Sequence, residues 1–203
     1  MPKIKLTKSE LKKQKDSLKR FNRYLPMLTL KKQQLQIEIS RTDNSIEILK
    51  EQIDIFSKGI YLWVDVFAEE VDLRSLIKIN KINTDTGNIA GIDIPLFTGM
   101  DFSEADYDYF VIPLWVDKAI EVLKESITLA GKLLILKEQK AILREELRVT
   151  TQRVNLFEKV KIPEAIENIR VIQVHLGDLQ TAAVVRGKIA KAKLEKRREM
   201  VAV

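Results

Sequence analysis

The chain has 203 residues, with seven glycines, five prolines, no cysteine and a formal net charge of +6. So little Gly and Pro favours long helices over a loop-rich or all-β fold. The missing cysteine excludes disulfide and thiol chemistry and points to a reducing cytoplasm, and no apolar run reaches the ~18–20 residues that span a bilayer. The charge is polarised: residues 1–24 carry a local +7, residues 186–199 a local +5, and the stretch between them −6.

The first segment, residues 1–76, opens with a basic stretch that has no apolar core of the kind a secretory signal needs. Thr7-Lys8-Ser9-Glu10 has the spacing of a helix capping box. From Leu11, steps of three and four residues meet Leu18, Phe21, Leu25, Leu28, Leu35, Ile39, Ile46, Leu49, Ile53, Phe56, Ile60, Trp63 and Phe67. Only Gln14, Lys32 and Thr42 are polar in that series. A 3.5-residue apolar period held this long is a coiled-coil seam. Pro26 falls inside it. Because the seam continues in register past the proline, the expectation is a kinked helix and not two helices.

The second segment, residues 77–112, changes period. Ile77, Ile79 and Ile82 alternate with polar residues, Asp85-Thr86-Gly87-Asn88 reads as a turn, and Ile89 to Ile94 alternate again up to Pro95. This is a β-hairpin pattern, followed by an irregular acidic stretch with Tyr107 and Tyr109. The third segment, residues 113–203, starts with Pro113 at a helix-compatible position. Its seam reads Leu129, Leu133, Leu136, Lys140, Leu143, Leu147, Thr150, Val154 and Phe157. A perturbation at Lys161-Ile162-Pro163 follows, and the seam resumes at Ile166, Ile169, Ile172, Leu176, Leu179 and Ala183 before thinning to Gly187 and Ala190.

The fold class is therefore mainly α: two long helices in an antiparallel coiled coil, with a central β-hairpin and a short irregular or helical insertion. The third segment is longer than the first by ~15 residues, so one helix should run on by ~20 Å at the end that holds both basic clusters. The hairpin belongs at the opposite end unless it folds back along the helices.

Catalytic chemistry has no foothold. His175 is the one histidine and sits on an amphipathic helix, where a seam or surface role is the ordinary outcome. No glycine is followed by the Lys-Ser/Thr of a phosphate loop. Glu69-Glu70 and Glu145-Glu146 are adjacent, and neighbours on a helix point apart. Trp63 and Trp115 are read as core residues near the insertion. No catalytic residue, cofactor or metal is expected.

Several stretches, in order, resemble the D-subunit family of V-type (archaeal-type) ATP synthases and ATPases, the central-stalk rotor subunits. They are Leu-Thr-Lys-Ser-Glu-Leu-Lys-Lys-Gln-Lys at 6–15, Ile-Ala-Gly-Ile-Asp-Ile-Pro at 89–95, Lys-Ile-Pro-Glu-Ala-Ile-Glu-Asn-Ile at 161–169, and the basic Arg-Gly-Lys-Ile-Ala-Lys-Ala-Lys-Leu at 186–194. In the last, Gly187 stands where the family has a larger apolar residue. The resemblance implies a non-catalytic axle inside a hexamer of A and B subunits, joined to the F subunit and coupled by a funnel-shaped subunit to the membrane ring. It implies no nucleic-acid binding and no insertion into the membrane. Lys3, Lys5, Lys8, Lys12, Lys13, Lys191, Lys193, Arg197 and Arg198 are expected to form a basic tip facing the hexamer bore. Ile79, Lys81, Asp85, Gly87 and Ile92 are expected to form a partner-facing hairpin. Two other classes fit parts of the sequence. A nucleic-acid binder would explain the basic ends, but no reader motif or interleaved aromatics accompany them. A generic coiled-coil scaffold would explain the seams alone.

Overall fold

The computed structural model describes residues 4–61, 76–104, 113 and 115–201. Its elements are helix α1 (Lys8–Tyr61), strands β1 (Ile77–Ile89) and β2 (Ile92–Glu104), helix α2 (Trp115–Leu156), a π-helical turn (Phe157–Lys161) and helix α3 (Ile162–Val201). They fall into two compact units, one of Met1–Leu30 with Thr151–Val203 and one of Lys31–Thr150. Trp63, Phe67, Glu69, Glu70, Tyr107 and Tyr109 lie outside the described residues.

Helix α1 starts where the capping residue predicts. The Thr7 hydroxyl accepts the Glu10 amide at 3.3 Å. The return half of the box does not form: the Thr7 N–H goes to the Lys5 carbonyl, and the Glu10 carboxylate takes the Gln14 amide instead. The helix continues through Pro26.

In the unit of Lys31–Thr150, the buried residues of α1 are Leu35, Ile39, Thr42, Ile46 and Leu49, all members of the expected seam. Thr42 meets the cost of burying a hydroxyl by donating to the Glu38 carbonyl at 2.8 Å. Leu35 and Ile39 meet Leu143 of α2. The pairing is antiparallel, since Lys31 bonds Glu146 at 2.9 Å while Asp43, further along α1, pairs with Lys140 and lies 3.9 Å from Arg144.

The hairpin lies back along α2. At its base, Leu76 and Ile77 pack with Val116 and Ile120, with Trp115 against them. Part-way along, Met100 and Phe97 lie over Gly131, where an added Cβ would sit 2.7 Å from the Met100 sulfur. Near the turn, Gln139 donates to the Pro95 carbonyl, and Ile94 enters the core with Leu35, Ile39 and Leu143. A two-stranded ribbon alone is marginal, and burying one side of it along a helix is what holds this one.

The turn is not Asp85 to Asn88. Those residues continue β1, with Asp85 opposite Leu96 and Gly87 opposite Ile94. The chain reverses at Ala90 and Gly91, which have φ of 53° and 77°. The Asn88 side chain closes this turn, accepting the Gly91 amide at 3.1 Å and donating to Asp93 at 2.7 Å. Gly87 is misleading as a turn marker: in the strand its bare Cα makes room for Leu96. Pro95 does not end β2, which runs on to Glu104 through residues read from sequence as irregular. Two register shifts, at Asn80 and Thr98, break the strict alternation there.

In the unit of Met1–Leu30 and Thr151–Val203, the rings of Phe21 and Phe157 stack with centroids 5.3 Å apart and planes at 26°. Asn168 reaches Gln14 at 3.5 Å. Pairing is antiparallel in this unit too. Val154, Ala165 and Ile172 are its buried side chains in α2 and α3. Ile166, expected in the seam, is exposed and Ala165 takes its place. Ile172 is buried as expected, and the π turn Phe157–Lys161 lies just before the one position that differs.

Candidate partner-binding surfaces

Lys5, Lys8, Lys12 and Lys13 are all exposed around the start of α1. Lys191, Lys193 and Arg197 are exposed on α3. Lys3 and the Arg198 side chain lie outside the described residues. The Gln14–Asn168 contact sets the register and places Lys8 level with about residue 174 of α3. Lys191 therefore lies about 25 Å further along the helix at 1.5 Å per residue. The two basic groups share one end of the helix pair and are spread along it, not gathered into a point.

Every residue of α3 from 177 to 197 is exposed. On a helical period Leu179, Ala183, Gly187, Ala190 and Leu194 fall on one side, in line with the buried Ile172. Seam chemistry thus continues for some 20 residues along a helix no other described part of the chain covers. Lys191 takes Glu195 at 3.9 Å, an i,i+4 contact on a solvated surface.

The hairpin residues divide into two sets. Ile79, Lys81 and Asp85 are exposed. Ile92 packs against the Leu35–Leu143 cluster, and Gly87 lies under Leu96. Only the first three therefore present fully exposed side chains. Sequence reasoning passes over Ile37, Ile48 and Ile55 of α1, which are more than half exposed. Their spacings of 11 and 7 residues put them on the side of α1 away from Ile39 and Ile46. An apolar helix face opposite a seam is the signal, and reading for a single seam hides it.

The acidic pair Glu145-Glu146 splits as adjacent helical residues must. Glu145 receives Arg148 at 2.6 and 2.9 Å, and Glu146 receives Lys31. Hydrogen bonds from Arg148 and Arg170 hold the Glu145 and Glu167 carboxyls below the usual carboxylate value, and the Lys118 ammonium does the same for Glu121. These are surface i,i+3 pairs. Among the described residues no three His, Cys, Asp or Glu side chains converge as metal ligands, and no helix is long and apolar enough to cross a membrane. What the molecule presents is long, chemically mixed surface.

The family model for the D subunit of ATP synthase matches residues 10–192. The chain belongs to the ATP synthase D-subunit family. A V-type ATP synthase D subunit from Borreliella burgdorferi is 49% identical over 197 residues, covering 97% of this chain and 98% of its relative. Relatives of the same description from Chlamydia felis and Chlamydia caviae are 34% and 33% identical, each covering 97% of this chain and 96% of their own length. As a D subunit, the chain is a central-stalk component of a V-type ATP synthase. The match takes in both long helical segments, the hairpin and most of the exposed part of α3.

Proposed function

We propose that this chain is the axle of the central stalk, carrying torque between ATP turnover in a hexamer of A and B subunits and ion translocation by the membrane ring. It performs no catalysis itself and works on the cytoplasmic side as a peripheral part of the complex. The exposed reach of α3 is the observation that carries this reading: residues 177–197 continue the seam with no partner among the described residues. An axle end needs shape and surface that an enclosing ring can grip without locking. Small side chains at Ala183, Gly187 and Ala190 keep the helix thin, and the surrounding Lys and Arg act at a distance through their field. The outward hairpin residues Ile79, Lys81 and Asp85 serve the F subunit, and a funnel-shaped subunit links the stalk to the ring.

The test is reconstitution with A, B and F subunits. Replacing Lys191, Lys193 and Arg197 together by Glu should weaken assembly with the A/B hexamer about tenfold or more at low salt, and added salt should narrow the gap. Ile79→Asp with Asp85→Lys should instead release F and change the coupled ATPase rate. Full assembly of the triple variant at low salt refutes the basic contact with the hexamer.

A further inference from the structure

Two interruptions of helical hydrogen bonding lie to either side of one aromatic stack in the unit of Met1–Leu30 and Thr151–Val203. On α1, Pro26 has no N–H to offer the Asn22 carbonyl. On the other strand of the pair, the π turn Phe157–Lys161 replaces the α ladder, with the Ile162 amide bonding the Phe157 carbonyl. The Phe21–Phe157 stack joins them, since Phe21 precedes Asn22 and Phe157 opens the π turn. Packing is thin here. No residue of the π turn is buried, and no side chain between Val154 and Ala165 is buried either. Beside the turn lies an open cleft of about 230 Å³ lined by Gln14, Ser17, Phe21, Lys161, Glu164 and Asn168.

Each feature alone is tolerable. Together they interrupt the i→i−4 ladder of both helices within about two turns of one another. A helix resists bending and twisting through its i→i−4 bonds and through side chains wedged against a neighbour, and kinks collect at prolines and π turns. We propose that Pro26 and the π turn Phe157–Lys161, clamped by the Phe21–Phe157 stack, form a compliant joint in the helix pair. The aromatic stack keeps the two strands in register while the backbone around it bends and twists. Lys161 and Glu164, paired at 3.1 Å on the cleft edge, slide with it. In an axle the joint would store part of each rotary step. Its existence does not depend on that reading, because it is a local property of the free chain and is measured there.

Spin labels at the exposed positions Arg153 and Gln173 bracket the π turn, roughly 30 Å apart at helical rise. In the full chain their pulsed-EPR distance distribution should be broad. Deleting the exposed Val160 removes the extra residue of the π turn, and the distribution should narrow to about half its width. Hydrogen exchange gives a second reading: amides 157–162 should exchange about 100-fold faster than amides 140–147, and at least tenfold slower after the deletion. Pro26→Ala leaves the π turn untouched. It should slow exchange on both sides of the stack, at 22–27 and at 157–162. Three results would overturn the joint: equal widths in parent and deletion variant with helix content kept, wild-type protection at 157–162 equal to that at 140–147, or a Pro26→Ala effect confined to α1.

Discussion

Leu143 offers the sharpest test of how the hairpin is held. Its side chain is 0% exposed and touches Leu35 and Ile39 of α1 and Ile94 of β2. Truncation to Ala removes the apolar transfer gain and leaves a void that three branched neighbours fill poorly, a loss of about 3 kcal/mol. For a chain of this size that is a fall in melting temperature of roughly 6–12 °C. Leu134 is the control: same residue type, same helix, 56% exposed. Leu134→Ala should move stability by less than about 0.5 kcal/mol. Ile94→Ala should cost about as much as Leu143→Ala, and the double variant should cost less than the sum by at least about 0.5 kcal/mol, because both side chains line one void. Urea titrations followed by circular dichroism and tryptophan fluorescence measure all four. If Leu143→Ala matches Leu134→Ala, the seam assignment is wrong. If Leu143 and Ile94 add without coupling, the hairpin is not docked as described.

Glycines at two positions should respond in opposite directions. Gly91→Ala forces a side chain into a positive-φ turn and should cost about 1–2 kcal/mol, while Gly59→Ala, in open space on α1, should gain up to about 1 kcal/mol from helix propensity; thermal melts compare them, and a stabilising Gly91→Ala would contradict the turn. The lowered carboxyls of Glu145 and Glu167 give a small pH-dependent contribution. Their folded values lie below the ordinary one, so their contribution is complete above the ordinary carboxylate value and is lost as acid passes through the lowered one. Carboxyl NMR titration should give midpoints below 4.5 for both; midpoints at or above that value would remove the Arg148 and Arg170 pairings.

Helix α1 is legible in the sequence because its seam keeps one period, even where Leu35 and Ile39 meet Ile94 of the hairpin as well as Leu143. Leu35, Ile39, Thr42, Ile46 and Leu49 are all buried as that period requires, polar Thr42 included. α2 is harder to read because the hairpin lies along much of its length. The hairpin adds a second contact, so Ile135 and Gln139 are buried, while the expected Leu136 and Lys140 are only half-buried. Nothing in a heptad count reveals that Gln139 will be spent on a strand carbonyl. The perturbation near Pro163 is visible, but its cause lies just before it, in a π turn that leaves no residue-type signature. The hairpin is legible as a hairpin and misplaced at its turn, since Asp-Thr-Gly-Asn carries stronger local turn chemistry than Ala-Gly. Among the proposed contact residues, the described basic positions are exposed, and their spread along the helix pair follows only from the Gln14–Asn168 register.

The uncovered part of α3 has a consequence for how the chain folds. Starting a helix in water carries a penalty of roughly a thousandfold, because several residues must be fixed for the first hydrogen bond, whereas lengthening one is nearly free. Residues 177–197 never face the first step. They grow from a helix already nucleated and anchored at Ala165 and Ile172, through a run rich in Ala and Lys. Gly187 is the weak link in that run. The free chain should therefore fray from residue 197 back toward Gly187.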